Sequence, residues 1–226
     1  MEEQIVQTGT PTGDLAYRVQ WAFSRALLDE SKIARGVLQL EGMSGRRYRH
    51  FANNLIRLLN DASYLEVGIW RGSTLCSAIS GNSVCATAID NWSQYGDVRE
   101  HFYRNLTLFG SPSAVVDVIE EDFRLVDFSR LRCHRVFLFD GPHSYVDQYD
   151  GLTLGCQAIT QQAVLIIDDW NWEEVRAGTW HAIGDLSLAV LHAIEIRTTF
   201  DNSHPDIYGA ASNWHNGCFI AVVEKS

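Results

Sequence analysis

The chain has no run of about 20 apolar residues, so the sequence predicts no membrane-spanning helix. It has no G-x-G-x-x-G after a strand-like segment, which excludes the usual dinucleotide fingerprint, and no Gly-Lys-Ser/Thr, which excludes a P-loop. Basic residues are in deficit: 18 Lys and Arg stand against 28 Asp and Glu, for a net charge of −10. Phosphate backbones are held by clustered Lys and Arg, so this balance argues against a nucleic-acid partner. The one basic cluster, Arg46-Arg47-Tyr48-Arg49-His50, reads as a helix face. The five cysteines (Cys76, Cys85, Cys133, Cys156, Cys218) form no C-x-x-C pair, and three of them, Cys85, Cys133 and Cys218, sit in or beside apolar runs as reduced core thiols do. Met1-Glu2-Glu3-Gln4 is acidic and lacks the apolar stretch of a secretory leader, so a cytoplasmic, reducing compartment is the expectation.

What is present is apolar and periodic. Hydrophobic residues make up 46% of the 226 positions, enough for one sizeable core. Residues 1–13 read as a mobile polar arm. Leu15, Val19, Phe23, Ala26 and Leu27 recur at helical spacing, and a second helix is predicted from Arg46 to Leu59. Short apolar runs at Tyr64–Val67, Val84–Ile89, Ala114–Ile119, Arg135–Phe139 and Val164–Ile167 then alternate with helix-compatible segments. Ile194–Phe200 and Cys218–Val223 follow, joined by a polar loop, and are expected to pair antiparallel. The pattern predicts an α/β fold: a doubly wound, mostly parallel seven-stranded sheet with a terminal antiparallel pair and N-terminal helices. Residues 1–60 would supply the arm and cap helices, and residues 61–226 a cofactor-binding core, within one compact domain.

In a doubly wound sheet, ligands bind where strands end and loops lead into helices. The first such loop is Glu66-Val67-Gly68-Ile69-Trp70-Arg71-Gly72-Ser73-Thr74. Gly68 and Gly72 permit a tight turn and close backbone approach, and Ser73 and Thr74 open a helix whose free N–H groups favour an anion. Asp90 and Asn91 close the second strand, and Asp122 follows the third. Asp140 stands just past the fourth strand and Asp168-Asp169 just past the fifth. Neighbouring strands lie about 5 Å apart, so these three carboxylates would converge and repel unless a cation neutralised them. Oxygen donors of this kind suit Mg²⁺ or another hard divalent ion. A competing reading makes Asp169 the N-cap of a helix that starts near Trp172.

The Glu66–Thr74 pattern resembles motif I of class I S-adenosylmethionine-dependent methyltransferases. Asp140-Gly141-Pro142-His143 with Asp168-Asp169 resembles the metal-dependent O-methyltransferases of the catechol and macrolide or aminocoumarin sugar types. The resemblance spans roughly residues 60–225. It implies S-adenosylmethionine held by Glu66, Gly68, Gly72, Ser73, Thr74, Asp90, Asn91, Asp122 and Asp140, with Asp90 on the ribose and Asp122 near the adenine. It further implies Mg²⁺ on Asp140, Asp168 and Asp169, and His143 as base, a fourth ligand or a packing histidine being the other roles open to it. The expected substrate is a small molecule bearing a vicinal diol or catechol-like group. Homo-oligomerisation is left open, as are a metal-independent methyltransferase and a non-catalytic binding protein on the same scaffold. Ile159-Thr160-Gln161-Gln162 departs from the glycines such families carry before the fifth strand. Trp70, Trp92, Trp170, Trp172 and Trp180 are candidates for the site or for packing, His134, His181 and His192 read as structural, and Asp201–Asn216 is a candidate lid.

Overall fold

The runs Val136–Phe139 and Val164–Ile167 are apolar because both faces of their strands are covered. Side chains alternate across a strand. Leu65, Val67, Phe137, Phe139, Leu165 and Ile167 enter one apolar cluster, while Tyr64, Val136, Leu138, Val164 and Ile166 enter the other. In a computed structural model that describes residues 3–226, the chain runs β1 (Gln4–Thr8), α1 (Asp14–Leu27), α2 (Arg35–Leu38), α3 (Arg46–Leu58), β2 (Ser63–Val67), α4 (Ser73–Ile79), β3 (Val84–Ile89), α5 (Arg99–Phe109) and β4 (Ala114–Ile119). It continues through β5 (His134–Phe139), α6 (Tyr145–Gly155), β6 (Ile159–Asp168), α7 (Glu173–Asp185), β7 (Ala189–Arg197) and β8 (Cys218–Glu224).

The sheet order is β1-β7-β8-β6-β5-β2-β3-β4. Strands β2 to β6 are parallel, and β8 inserts antiparallel between β6 and β7. The expected terminal pair is therefore present, and the sheet has eight strands rather than seven. The extra one is β1, in the segment expected to be a mobile arm, paired antiparallel with β7 from Gln4↔Arg197 to Thr8↔Ala193. Its side chains are mostly exposed, so apolar periodicity could not announce it. What fixes it is the open backbone edge of β7.

The N-terminal helices share the core of the sheet. Leu15, Val19 and Phe23 of α1 and Phe51 and Leu55 of α3 pack into the same cluster as β5 and β6. The cluster expected as a solvated basic face divides. Arg46 and Arg47 face Asp29, whereas Tyr48, Arg49 and His50 are buried. Arg49 donates to the carbonyls of Val37, Leu38, Leu40 and Ser44, and burial lowers its pKa to about 10.

Two junctions differ from expectation for local reasons. A 3₁₀ turn at Cys156–Ala158 delivers the chain straight into β6, and a register shift against β5 absorbs Thr160-Gln161-Gln162, so no glycine turn is needed there. Strand β7 ends at Arg197 because the Thr198 and Thr199 amides donate to the Asn171 side chain. Among the described residues, no helix is long and apolar enough to cross a membrane.

Candidate functional site

The chain leaves β2 for β3 on one side of the sheet and later returns to place β5 on the other, so the switch point lies between β2 and β5. There the loop after β2 meets Asp140. Gly68 has φ +87°, and a Cβ on it would stand 1.8 Å from the Asp140 carbonyl oxygen. Only glycine allows that approach. A cavity of about 330 Å³ opens at this point, bounded by the β2–α4 loop, the ends of β3 to β6 and the β7–β8 loop.

Asp90 lines the cavity with its carboxylate already engaged. Oδ2 accepts from the Ile69 and Trp70 amides, each at 2.8 Å, and Oδ1 from the Trp92 amide at 2.7 Å. It thereby clamps the glycine loop, holding Trp70 and Trp92 at positive φ. Next to it Asn91 donates to Asp122 Oδ2 at 3.3 Å, and Asp122 Oδ1 caps the Arg124 amide. Ser73 and Thr74 also face the cavity, with Ser73 hydrogen-bonded to Ser44 of the N-terminal cap.

Glu66 and Gly72, expected among the cofactor contacts, do not line the cavity. The Glu66 side chain points into the protein, where Tyr64 donates to it at 2.6 Å and burial raises its pKa to about 8. Gly72 is the left-handed residue before α4 and is backed by Phe102. Both shape the loop from behind.

The carboxylates after β5 and β6 do come together, though not as three equal ligands. Donor atoms of Asp140, His143 and Asp169 lie within 4.8 Å of one another. Asp168, expected in that set, is directed at Asp140 instead. Burial, then the neighbouring carboxylates, pushes Asp140 well above the usual range, and burial and Asp169 do the same to Asp168. The two carboxyls share a proton, so the pair carries one negative charge in place of two, and Asp168 Oδ1 is buried without a partner.

Asp169 behaves differently. Burial alone would raise it, but the hydrogen bond and charge of His143, with Asn216, hold its carboxyl below the usual value. His143 Nδ1 lies 2.9 Å from Asp169 Oδ2, and Asn216 donates to Oδ1 at 2.7 Å. The competing N-cap reading of Asp169 fails: α7 starts after Trp172 with no side-chain cap, and Asp169 sits at φ +56°. Asn171 backs the arrangement, donating to Asn216 and Thr198 and accepting from the Thr198 and Thr199 amides.

The tryptophans sort by depth. Trp70, Trp92 and Trp172 line the cavity, with Trp172 edge-on to His143 at 5.0 Å. Trp170 is core, stacked on Phe219, and Trp180 is half exposed on α7. His134 is structural, between Thr87 and the Ala158 carbonyl, and His192 faces the Gly9 carbonyl. His181 lies on the surface with Tyr145 and Asp185. Of the candidate lid, residues 201–208 are exposed apart from Pro205, and the following part up to Asn216 is packed as a wall. Its Trp214 stacks on Phe23, and the Ser212 and Asn213 carbonyls receive the first amides of α3. His204 and His215 of that loop face the cavity, as do Met43 and Tyr95, which the sequence did not single out.

No Lys or Arg lines the cavity among the described residues, whereas six acids do. A cationic ligand is matched by such a wall and a phosphorylated one is not. The polar edge at Asn91 and Asp122, the Trp92 and Phe123 rings and the carboxylate end at Asp140 fit an adenosyl group that ends in a sulfonium. The donor set of two carboxylates and an imidazole, with the orphaned Asp168 oxygen beside it, fits a divalent cation.

No protein-family model matches the sequence, and no curated protein sequence matches it. Solved structures do match. The chain resembles the O-methyltransferase TomG from Streptomyces achromogenes, involved in tomaymycin synthesis and solved in complex with SAM, with a TM-score of 0.57, 14% identity and coverage of 90% of this chain and 89% of that one. It resembles cofactor-bound Rv0187 from MTB at TM-score 0.57 and 14% identity, covering 93% and 91%. It also resembles TrmN from Thermus thermophilus at TM-score 0.52 and 15% identity, covering 90% of this chain but only 52% of that one. The fold is that of the class I S-adenosylmethionine-dependent methyltransferases.

Proposed function

We propose that the protein is an S-adenosylmethionine-dependent O-methyltransferase that acts on a hydroxyl of a small molecule with assistance from a divalent cation. One observation carries this reading: the Asp140, His143 and Asp169 donor atoms converge on a cavity that also holds the Gly68 loop and lacks any Lys or Arg among the described residues. Asp140 and Asp169 would hold the cation, with Asp168 behind Asp140 giving up the shared proton. When bound, a cation of this type acidifies and orients a substrate oxygen.

The chain's own residues do the rest. Asp90 fixes the glycine loop so that the adenosyl group has one seat, and Asn91 and Asp122 offer polar partners at its far end. In its neutral form His143 would donate from Nδ1 to Asp169 and offer the Nε2 lone pair to the proton of the reacting hydroxyl. Asn216 keeps Asp169 oriented while this happens. Holding donor and acceptor in line supplies the entropic share of the rate, worth roughly 7–11 kcal/mol in well-oriented systems. The resulting product is a methyl ether, with the methyl carbon leaving sulfur as it joins oxygen.

The test is calorimetric binding of S-adenosylmethionine, followed by methyl transfer to catechol with Mg²⁺ and with EDTA. Binding together with Mg²⁺-dependent transfer is expected. Lack of cofactor binding would overturn the reading entirely. A second reading, metal-independent transfer by the same fold, is favoured by the preformed Asp169–His143 pair, which could serve as a base without a cation. Transfer that persists in EDTA and in Asp140→Asn would establish it.

A further inference from the structure

We infer that His215 is a substrate-contacting donor whose Nε2–H selects molecules carrying a third oxygen beside the pair presented to Asp140, His143 and Asp169. The inference rests on the O-methyl transfer reading and names the substrate class within it: neutral molecules with three adjacent oxygens, such as trihydroxyarenes or sugar triols.

The tautomer is set by the backbone. The Gly209 amide donates to His215 Nδ1 at 3.0 Å. An amide N–H can only donate, so Nδ1 carries the lone pair and the proton of the neutral ring is on Nε2. The ring lines the cavity, and Nε2 makes no hydrogen bond among the described residues. The residue itself is fixed on both sides: its amide donates to Ser212 Oγ at 2.9 Å, and its carbonyl accepts from Thr198 Oγ1 at 2.9 Å.

Its position relates it to the reacting groups. The next residue, Asn216, donates to Asp169, and the His204 ring is edge-on to His215 at 5.1 Å. Two histidines thus face one cavity with opposite assignments. In its neutral form His143 presents a lone pair because its Nδ1–H is given to Asp169, and His215 presents a proton because its Nδ1 is occupied by Gly209. A nitrogen that already bears a proton cannot take one from the substrate, so the role of His215 is to donate. A ligand without an oxygen at that place would leave the N–H dry and unpaired, and a site of this kind rejects it. The lack of a cationic side chain in the cavity, among the described residues, keeps phosphorylated versions out.

Two measurements test this on the full chain loaded with Mg²⁺ and S-adenosylhomocysteine. Nitrogen NMR of the ¹⁵N-histidine-labelled protein at neutral pH is expected to show His215 in the Nε2-protonated form, and an Nδ1-protonated ring would overturn the proposal. Calorimetry then compares catechol with pyrogallol, which adds the third adjacent hydroxyl. Wild type is expected to bind pyrogallol on the order of tenfold tighter. His215→Asn keeps an acceptor for Gly209 but has no atom at the Nε2 position, so the preference for pyrogallol over catechol should disappear. His215→Gln returns a donor at that position and should recover part of it. Equal binding of the two compounds by wild type, or a preference that survives His215→Asn, overturns the inference while leaving O-methyl transfer standing. Failure of both to bind overturns the diol reading as well.

Discussion

His143 Nδ1 and Asp169 Oδ2 are 2.9 Å apart, although the two residues belong to loops that follow different strands. The pair exists because β5 and β6 are parallel neighbours, with Phe139↔Ile167 in register, so both loops leave the sheet at the same level. A buried carboxylate that faces an imidazole sets which ring nitrogen is free, and this gives the histidine its chemical direction.

The support of that pair is separable from the pair itself. Asn216→Ala removes the 2.7 Å bond to Asp169 Oδ1 and leaves His143 and all the other lining residues unaltered. Loss of such an outer partner costs about 10- to 100-fold in activity or metal affinity. We expect kcat to fall in that range with the Kd for S-adenosylmethionine within twofold of wild type, measured by single-turnover kinetics and calorimetry. His143→Ala should cost more, about 10²–10⁴-fold. An unchanged rate in the latter would remove His143 from proton transfer.

Glycines at two positions should respond with opposite sign. Gly68→Ala forces a Cβ to 1.8 Å from the Asp140 carbonyl at φ +87°, so the loop must shift. The loss should be at least about 2 kcal/mol, or roughly 4–8 °C in Tm for a chain of this size. Gly184 lies within α7, where a Cβ would meet nothing within 4 Å. Gly184→Ala should stabilise by about 0.5–1 kcal/mol. Equal Tm values for the two variants would contradict the Gly68 contact.

Glu66 makes stability depend on pH. Its folded pKa is raised from 4.5 to about 8 by burial, so between those values the folded chain holds a proton that the unfolded chain has lost. Stability therefore falls as pH rises from about 4.5 to about 8, by up to roughly 5 kcal/mol from this group alone. Glu66→Gln cannot lose that proton. Denaturant unfolding at pH 5 and pH 8 should show the variant gaining several kcal/mol on wild type across the interval. A constant difference between the two proteins would show that Glu66 is not a buried neutral acid.

The acid side has the opposite origin. Burial lowers the pKa of His134, and of His50 in the N-terminal cap. Each is neutral when folded and readily protonated when unfolded, so their contribution is complete above the unfolded value near 6.5 and is lost as pH falls below it. His134→Asn should flatten the decline in Tm between pH 6.5 and 5 relative to wild type. A parallel decline in both would assign it to other groups.

The sequence by itself determined the strand–helix alternation, the glycine loop after β2 and the placement of Asp90, Asp140, Asp168 and Asp169 at strand ends. These are local facts: the period of apolar residues and the position of a residue relative to a strand terminus. Only the tertiary structure decided that residues 4–8 form an eighth strand, since an exposed edge strand is specified by its partner's backbone and not by its own pattern. It also divided three similar aspartates into a proton-sharing Asp140–Asp168 pair and an ionised Asp169, because burial and distance between loops far apart in the chain set their charge. Arg49, Asn216 and His215 acquire their roles in the same way. Each is defined by carbonyls, amides or carboxylates brought to it from elsewhere, and no spacing within its own segment records them.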